Sequence, residues 1–287
     1  MALSKPRFIW DNRKLDAATL AASSAATGYP AKALQDRLRA RRWRTTGLGE
    51  QTLTIDMGQP VLCSCVALVD PNLTEDGTIQ LLASEYADFS DPVLDESWEA
   101  AHPAIGMGEG GYGLEGYGGR LSDAERRYFL DRSLWVQYFD APAEARYWQI
   151  IINDAANPDG YYEAGRLYLC SHYEFDRRVS YGWGLSGADD SEISFSKGGQ
   201  AWTTRQPLRR VLTLSWPAFK KDDKYWGLWW PLKILGRSQD FIMDVLPDAQ
   251  ASERMYTLLY GRLQNVPEST ADNLGSDVIE LTVEESL

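Results

Sequence analysis

The chain has 287 residues, which is enough for two domains, and its 29 basic and 41 acidic residues give a net charge of −12. A surface that binds duplex nucleic acid needs a positive stripe, and the one basic cluster, Arg37 to Arg44, is short. This composition therefore argues against nucleic acid as a partner. The 11 tryptophans and 15 tyrosines indicate that part of the surface is buried between subunits, because large aromatic side chains are common interface anchors.

The first six residues carry no apolar stretch of the signal-peptide type, and no apolar run in the chain is long enough to span a bilayer. We therefore expect synthesis in a cytoplasm without export by the usual route. We also expect no insertion into a membrane.

The three cysteines, Cys63, Cys65 and Cys170, are expected to be reduced structural thiols. Cys63 and Cys65 point to the same face of a predicted strand and lie too close together to form a disulfide without distortion. The only histidines are His102 and His172, so the chain offers too few ligands for a zinc site. We expect neither a metal nor a cofactor.

Weak helical patterns come first in the chain and strand patterns follow. Leu15 to Ala26 is rich in alanine and weakly helical, and Ala31 to Ala40 predicts one more short helix or turn. From Leu53 onward, apolar and polar residues alternate as in a half-buried strand. The run from Val61 to Val69 is apolar on both faces and is typical of a central strand. The strands predicted in this half of the chain are 53–57, 61–69, 78–84, 134–139, 146–152 and 165–170.

Residues 85–133 interrupt this strand pattern with an insertion that is dense in glycine from Gly106 to Gly119. The glycines superficially match a phosphate-binding loop. No Lys-Ser/Thr pair follows them, however, and no strand leads through them into a helix. Their acidic neighbours would also repel phosphate. We predict a loop that is mobile or that becomes ordered on a neighbouring subunit, and not a nucleotide site.

The sequence changes in character after about residue 173, and we place a domain boundary near residues 171–180. A polar hairpin follows over Ser191 to Trp202, with a turn at Lys197 to Gln200. Residues 217–230 predict a helix that ends at Pro231, because proline cannot continue a helix. Further strands are predicted over 209–216, 241–246, 255–263 and 278–283.

Two stretches of the first half that lie far apart in sequence resemble the discoidin-like, or galactose-binding-like, jelly roll. The first contains Arg42 to Gly47 and Gln51 to Gly58, which form a tryptophan-bearing turn and a strand ending in Asp-hydrophobic-Gly. The second contains Ala145 to Ile152 and Glu163 to Leu169, which match the late paired strands that close the sandwich. The resemblance implies a scaffold that binds or docks rather than an enzyme.

The second half resembles a structural module of tailed-bacteriophage tails. The residues that carry this resemblance are the hairpin Ser191 to Trp202, the strand Arg209 to Trp216, the segment Met255 to Leu263 and the acidic strand Ile279 to Glu285. Proteins at the distal end of such tails often pair an oligomerising β-domain with a sandwich. Here the sandwich comes first, a departure that leaves distal tail protein and minor tail protein open as identities.

Catalytic chemistry is not evident in the sequence. The histidines are not accompanied by a nucleophile motif, and no Gly-x-Ser-x-Gly occurs, so we assign no catalytic residue. Some discoidin-like domains hold calcium with loop oxygens. Asp154, Asn157 and Asp159 are candidates for this role, although turns of this composition are usually only turns.

Aromatic residues are the candidate contact sites, because their rings stack on sugars and anchor protein interfaces. For Trp43 and for the pair Trp229 and Trp230, packing in a core is the competing interpretation. The candidates for interface or glycan contact are Trp43, Tyr112, Tyr117, Tyr161, Tyr162, Trp229 and Trp230.

These patterns together predict a mainly β protein. We expect a jelly-roll β-sandwich over residues 1–175 and, over 176–287, a smaller β-rich domain with one helix that oligomerises and docks. The expected function is a structural role in a phage tail, in the tail-tip or baseplate region, within a virion assembled in the bacterial cytoplasm. The expected partners are further copies of the chain and tube, hub or tail-tip proteins. A carbohydrate-binding module with an aromatic sugar-stacking site is the alternative.

Overall fold

The computed structural model describes residues 5–38, 40–98, 134–180, 182–219, 223–267, 269–273 and 276–286. Strands predominate over helices, so the prediction of a mainly β fold is confirmed. The chain folds into two compact units. We call Asp11–His172 with Gln250–Ser252 the sandwich unit, and Met1–Trp10, Tyr173–Ala249 and Glu253–Leu287 the C-terminal unit. Among the described residues, no helix is long and apolar enough to cross a membrane.

The strands of the sandwich unit are β2 (Thr19–Ala22), β3 (Trp43–Arg44), β4 (Gln51–Val69), β5 (Thr78–Ser84), β6 (Pro92–Trp98), β7 (Leu134–Asn153), β8 (Glu163–Ala164) and β9 (Arg166–Cys170). Two short helical turns, Arg13–Asp16 and the 3₁₀ turn Ala31–Gln35, precede β3. The strand order of the main sheet is β2–β4–β7–β5–β6, with β9 also paired to β4, and β3 pairs separately with β8. All of these pairings are antiparallel.

The long strands β4 and β7 run antiparallel along almost their whole length. The sequence predicted two strands in place of each, because polar residues and prolines separate the apolar runs. The structure joins the runs across register shifts between Asp56 and Val61 and between Cys63 and Cys65. Such irregularities bend a ladder. Both ends of β4 contribute side chains to one apolar core, which includes Leu53, Ile55, Val66, Leu68, Trp148, Ile150 and Leu167.

The two stretches that carry the jelly-roll resemblance are neighbours in this fold. Residues 51–56 of β4 pair with 147–152 of β7, and Trp43 and Arg44 pair with Ala164 and Glu163. The segment 65–69 pairs with β9. These pairings bring the beginning and the end of the sandwich unit together at β3 and β8.

The strands of the C-terminal unit are β1 (Arg7–Ile9), β10 (Tyr173–Glu174), β11 (Gly184–Ala188), β12 (Glu192–Phe195), β13 (Ala201–Thr204), β14 (Arg209–Phe219), β15 (Phe241–Asp244), β16 (Leu258–Leu263), β17 (Ser269–Asn273) and β18 (Ser276–Glu285). One sheet has the order β10–β1–β15–β16–β18–β14–β11, with β17 paired to β18, whereas β12 and β13 pair only with each other. The core contains Phe8, Phe175, Trp216, Leu228, Leu232, Phe241 and Leu281.

Three local predictions for this unit are wrong. Residues 1–10 were assigned to the first domain, but β1 pairs with β10 and β15 and groups with the C-terminal unit. The helix predicted over 217–230 instead begins as a π-helix at Asp223–Trp229 and continues as the α-helix Trp230–Leu235. Pro231 therefore lies in the first turn of the α-helical segment, where proline is tolerated, and does not end the helix. The strand predicted from residue 255 begins only after the helix Ala251–Thr257.

The helix predicted over Leu15 to Ala26 is also wrong, because only Arg13–Asp16 is helical. Residues 19–22 instead form β2 and pair with residues 53–56 of β4. Alanine favours a helix only weakly in sum, and pairing with a long strand overrides that preference.

Candidate interaction sites

A cluster of arginines and tyrosines lies where β3 meets β8. The guanidinium carbon of Arg44 is 4.2 Å from the ring centroid of Tyr29 and 4.2 Å from that of Tyr161, so the two rings hold the cation between them. Arg44 Nε donates to Glu163 Oε2 at 2.7 Å, and Arg42 Nη1 donates to Glu163 Oε1 at 2.7 Å. We call these five residues the arginine–tyrosine cluster.

The carboxylate of this cluster is more buried than its two guanidinium groups. The Glu163 side chain is 10% exposed, whereas those of Arg42 and Arg44 are 36% and 29% exposed. The hydrogen bond from Arg44 to Glu163 raises the pKa of Arg44, so this guanidinium stays charged. Tyr29 and Tyr161 are both half-buried. The cluster thus presents partly exposed cationic N–H donors beside aromatic rings, the chemistry that suits a hydroxyl-rich ligand.

Two of the predicted contact residues lie in the core instead. Trp43 is fully buried, and its Nε1 donates to Ser24 O at 3.0 Å. Tyr162 is 1% exposed, its hydroxyl donates to Leu48 O at 2.6 Å, and the same oxygen accepts from Asp154 N at 2.8 Å. Neither ring has a face open to a ligand, so the prediction that these two residues contact a partner or glycan is wrong. Their apolar bodies fill the sandwich core while backbone groups satisfy their polar atoms.

The other predicted contact residues have different surroundings. Tyr161 lies in the arginine–tyrosine cluster, as described above. In the C-terminal unit, Trp230 is 49% exposed and Trp229 is half-buried. Tyr112 and Tyr117 lie outside the described residues, as does the glycine-rich segment around them. The interface role of these aromatic residues stays a prediction.

In the turn considered as a calcium site, the side-chain oxygens of Asp154 and Asn157 accept hydrogen bonds from other groups of the chain. Asp154 Oδ2 accepts from Thr74 N at 2.8 Å and Asp154 Oδ1 accepts from Thr74 Oγ1 at 2.8 Å. Asn157 Nδ2 donates to Asp154 Oδ2 at 3.1 Å, and Asn157 Oδ1 accepts from Asp159 N at 3.0 Å. Within the described part of the chain, no group of three or more His, Cys, Asp or Glu side chains is placed to hold a metal. These hydrogen bonds fit the interpretation of a hydrogen-bonded turn.

In the sandwich unit, the hydroxyl of Ser64 lies against the imidazole of His172. Ser64 Oγ lies 2.7 Å from His172 Nδ1 and accepts from His172 N at 3.0 Å. Ser64 is only 6% exposed, so this contact fastens the end of β9 to β4.

Burial raises the pKa of the neighbouring Cys63 and Cys65 thiols, which keeps them protonated.

The most exposed apolar surface belongs to β12, the turn over residues 196–200 and β13, which together we call the arm. All eight strand residues of the arm are exposed, including Ile193 at 60%, Phe195 at 72% and Trp202 at 63%. Ile193 pairs with Thr203 and Phe195 pairs with Ala201, so these four side chains share one face. Trp202 pairs with Ser194 and points to the other face. The arm therefore carries large apolar side chains on both faces.

The arm continues a hairpin of the main C-terminal sheet. β11 and β14 pair from Gly184 opposite Thr213 to Ala188 opposite Arg209, and the chain between them forms the arm. Gln206 N donates to Ser191 Oγ at 2.9 Å near the base of the arm. Among the described residues, no third strand pairs with β12 or β13. The sequence predicted this hairpin but not its exposure, because alternation of apolar residues with serine is also the pattern of a half-buried strand.

Comparison with known proteins gives distant likenesses. Neither a protein-family model nor a curated protein matches the chain. Among solved structures, a family 32 carbohydrate-binding module from Clostridium perfringens NanJ, in complex with galactose, is 14% identical and covers 58% of this chain and 99% of its own, with a TM-score of 0.37. The lectin domain of lectinolysin with Lewis B antigen is 11% identical over 57% of this chain and 99% of its own, with a TM-score of 0.38. A chitosan-binding module from a Paenibacillus chitosanase/glucanase is 15% identical over 55% and 97%, with a TM-score of 0.36. With identities under 25% and TM-scores under 0.5, none of these likenesses assigns a ligand or a function to this chain.

Proposed function

We propose that this protein is a non-catalytic structural component of a bacteriophage tail, in the tail-tip or baseplate region, and that it acts by docking to other proteins. The observation that supports docking is the arm, whose Ile193, Phe195 and Trp202 are each more than half exposed. The tail context rests on the resemblance of the second half of the chain to tail modules.

The physical reason for a partner is the cost of leaving this surface in water. An isolated two-stranded hairpin is only marginally stable, and an arm with apolar groups on both faces gains little from the rest of its own unit. Aromatic side chains bury about 150–250 Å² each, so Ile193, Phe195 and Trp202 expose on the order of 400 Å² in all. Burying that area in a complex would gain roughly 10 kcal/mol before the costs of association. The arm can therefore supply the anchor residues of an interface.

The test is the presence of the chain in virions and its dependence on the arm. Mass spectrometry of virions purified from the source phage should find the chain in a fixed ratio to the other tail proteins. Complementation with a Phe195→Ser and Trp202→Ser variant should reduce incorporation at least tenfold. The matched control is Tyr86→Ser, a 59% exposed residue of the sandwich unit, which should incorporate normally. A chain absent from virions would end the proposal.

Glycan binding is the second candidate function, and the arginine–tyrosine cluster favours it. Arg44 is held between Tyr29 and Tyr161 at 4.2 Å from each ring, which fixes N–H donors beside aromatic surfaces. Tyr161→Ala should abolish retention on a glycan array, and Tyr86→Ala should not. If the unmodified protein binds no glycan at millimolar concentration, this second candidate is wrong.

A further inference from the structure

We propose that Cys65 and Cys170 form a redox-sensitive pair, which closes to an intrachain disulfide when the folded protein meets hydrogen peroxide. The pair lies in the sandwich unit, where β4 and β9 run side by side. All three cysteines of the chain are free thiols in this structure. The inference is independent of the proposed docking function.

The two cysteines lie opposite each other on neighbouring strands. Cys65 of β4 and Cys170 of β9 are register partners in the antiparallel β4–β9 pair. The Cα atoms of such partners are about 4.5–5.5 Å apart. Disulfides span Cα separations of about 4.4–6.8 Å. The strand pairing therefore holds these two residues at a separation that a disulfide can bridge with little movement of either strand.

The two side chains also contact each other. Side chains of register partners share one face of a sheet. Cys65 Sγ donates to the backbone oxygen of Cys170 at 3.2 Å, so the Cys65 sulfur already lies against the other residue. Burial, together with a hydrogen bond to the Cys170 side chain, raises the pKa of the Cys65 thiol well above its usual value. A change of side-chain rotamer is therefore the main movement that bond formation requires.

Cys63 is the thiol that this geometry leaves out. The β4–β9 pairing ends at Cys65 and Cys170, and Cys63 lies beyond it, opposite Ala143 of β7. Its place two residues from Cys65 makes it at best a diagonal neighbour of Cys170. Diagonal neighbours are about 7–8 Å apart, which is too far for a disulfide without backbone movement. Cys63 is as buried as Cys65 and is therefore a matched control within the same strand.

Peroxide can reach this pair from the end of β9. Cys170 is the last residue of that strand, and Ser171 after it is exposed. Cys170 is 5% exposed, whereas Cys65 is fully buried. Strand ends open more readily than strand centres. Cys170 is therefore the thiol that is oxidised first, and the reaction should be slow because it waits for this local opening.

The oxidation takes place in two steps that balance. In the first step, one oxygen of hydrogen peroxide is transferred to Cys170 Sγ, which gives a sulfenic acid and one water. In the second step, Cys65 Sγ attacks the Cys170 sulfur, and the S–O bond breaks as the S–S bond forms. The leaving hydroxide takes the thiol proton and departs as a second water. The two thiols lose two electrons in total, and one peroxide gains them.

The first test is mass spectrometry of the full chain after it has been treated with hydrogen peroxide without denaturant. The intact chain should lose two hydrogen atoms, and proteolysis without reductant should release a peptide that joins Cys65 to Cys170. Cys63→Ala should form this bond as the unmodified chain does. Cys65→Ala and Cys170→Ala should each reduce formation of an intrachain disulfide at least tenfold. The cross-linked peptide of the unmodified chain is a readout that depends on no variant.

The second test is the effect of the bond on unfolding. The two residues are 105 positions apart, and a cross-link that closes a long loop restricts the unfolded chain strongly. The urea midpoint of the oxidised chain should therefore rise by about 1 M or more, and dithiothreitol should reverse the shift. Cys63→Ala should show the same difference between its oxidised and reduced forms.

Other results would overturn the inference. These are a sulfenic or sulfinic acid at Cys170 without a cross-link, a disulfide that contains Cys63, a bond between two chains, and thiols that react only after full unfolding. A cross-link that lowers the urea midpoint or leaves it unchanged would show that the bond strains the fold, which contradicts the proposed geometry.

Discussion

Two tryptophans test whether stability and docking reside in different parts of this molecule. Trp43 is fully buried in the sandwich core, and Trp202 is 63% exposed on the arm. The same substitution, tryptophan to alanine, is therefore expected to have opposite consequences at the two positions. Trp43→Ala should destabilise the sandwich unit, and Trp202→Ala should weaken docking while the fold is unchanged.

The magnitudes follow from the two environments. Removing a buried tryptophan costs about 3–5 kcal/mol in lost burial and residual cavity. Trp43 also donates from Nε1 to Ser24 O at 3.0 Å, and losing that bond adds about 1 kcal/mol. We expect Trp43→Ala to lower the free energy of unfolding by about 4–6 kcal/mol. Trp202→Ala should change it by about 0.5 kcal/mol or less, as surface substitutions do, and should cost docking about 2 kcal/mol.

Urea denaturation followed by circular dichroism measures the first quantity, and the midpoint should shift at an unchanged m-value. Trp43→Phe keeps an aromatic body without the hydrogen bond and should fall between the unmodified chain and Trp43→Ala. A loss below about 1.5 kcal/mol for Trp43→Ala would refute the core assignment. A loss above about 1.5 kcal/mol for Trp202→Ala would refute the exposed arm, because it would mean that the ring is packed within the unit.

Two further predictions concern ionisation in the sandwich unit. Arg146 Nε and Nη2 donate to the two oxygens of Asp56 at 2.8 and 2.9 Å, and these hydrogen bonds lower the pKa of Asp56 from 3.8 to about 2. The stabilisation of the folded state by this ion pair is present above the unfolded pKa of Asp56 and is lost as pH falls through 2. Asp56→Asn should therefore lower the free energy of unfolding by about 1 kcal/mol at pH 7, after solvent screening, and by progressively less between pH 4 and 2 in urea titrations. An equal loss at pH 2 would contradict this prediction. Burial raises the pKa of Cys63 and Cys65, so iodoacetamide at pH 8 should label these thiols only after unfolding, and rapid labelling of the folded chain would show that they are accessible.

The sequence predicted the strands of the sandwich where a strand buries one face and exposes the other. Leu53, Ile55 and Met57 alternate with polar residues, and the structure buries all three. What the sequence did not reveal was that this strand continues through Pro60 to Val69. Continuity of that kind depends on pairing with β7, whose residues lie about 80 positions away, and no local pattern records it.

The functional residues were harder to predict because exposure is a property of the fold. Trp43 lies between two arginines in the sequence, yet its side chain is in the core, whereas Tyr161 stacks on Arg44. The cluster was missed because Arg44 and Glu163 are 119 residues apart and meet only when β3 pairs with β8. Its signal in the sequence was present only in part, as a basic residue next to the tryptophan-bearing turn.

The arm shows that an amphipathic pattern does not by itself predict that its apolar residues lie in the core of the protein. Ile193 and Phe195 alternate with serines as Leu53 and Ile55 alternate with threonines, but only the second pair is covered. An alternating pattern predicts which face of a strand must be covered, but it does not predict which molecule covers that face. The sandwich face is covered by its own chain, since β4 residues pack against β7 and β9 residues in one cluster. For the arm, the described part of the chain supplies no such cover. The pattern of β12 therefore identifies an apolar face that the described part of the chain leaves exposed.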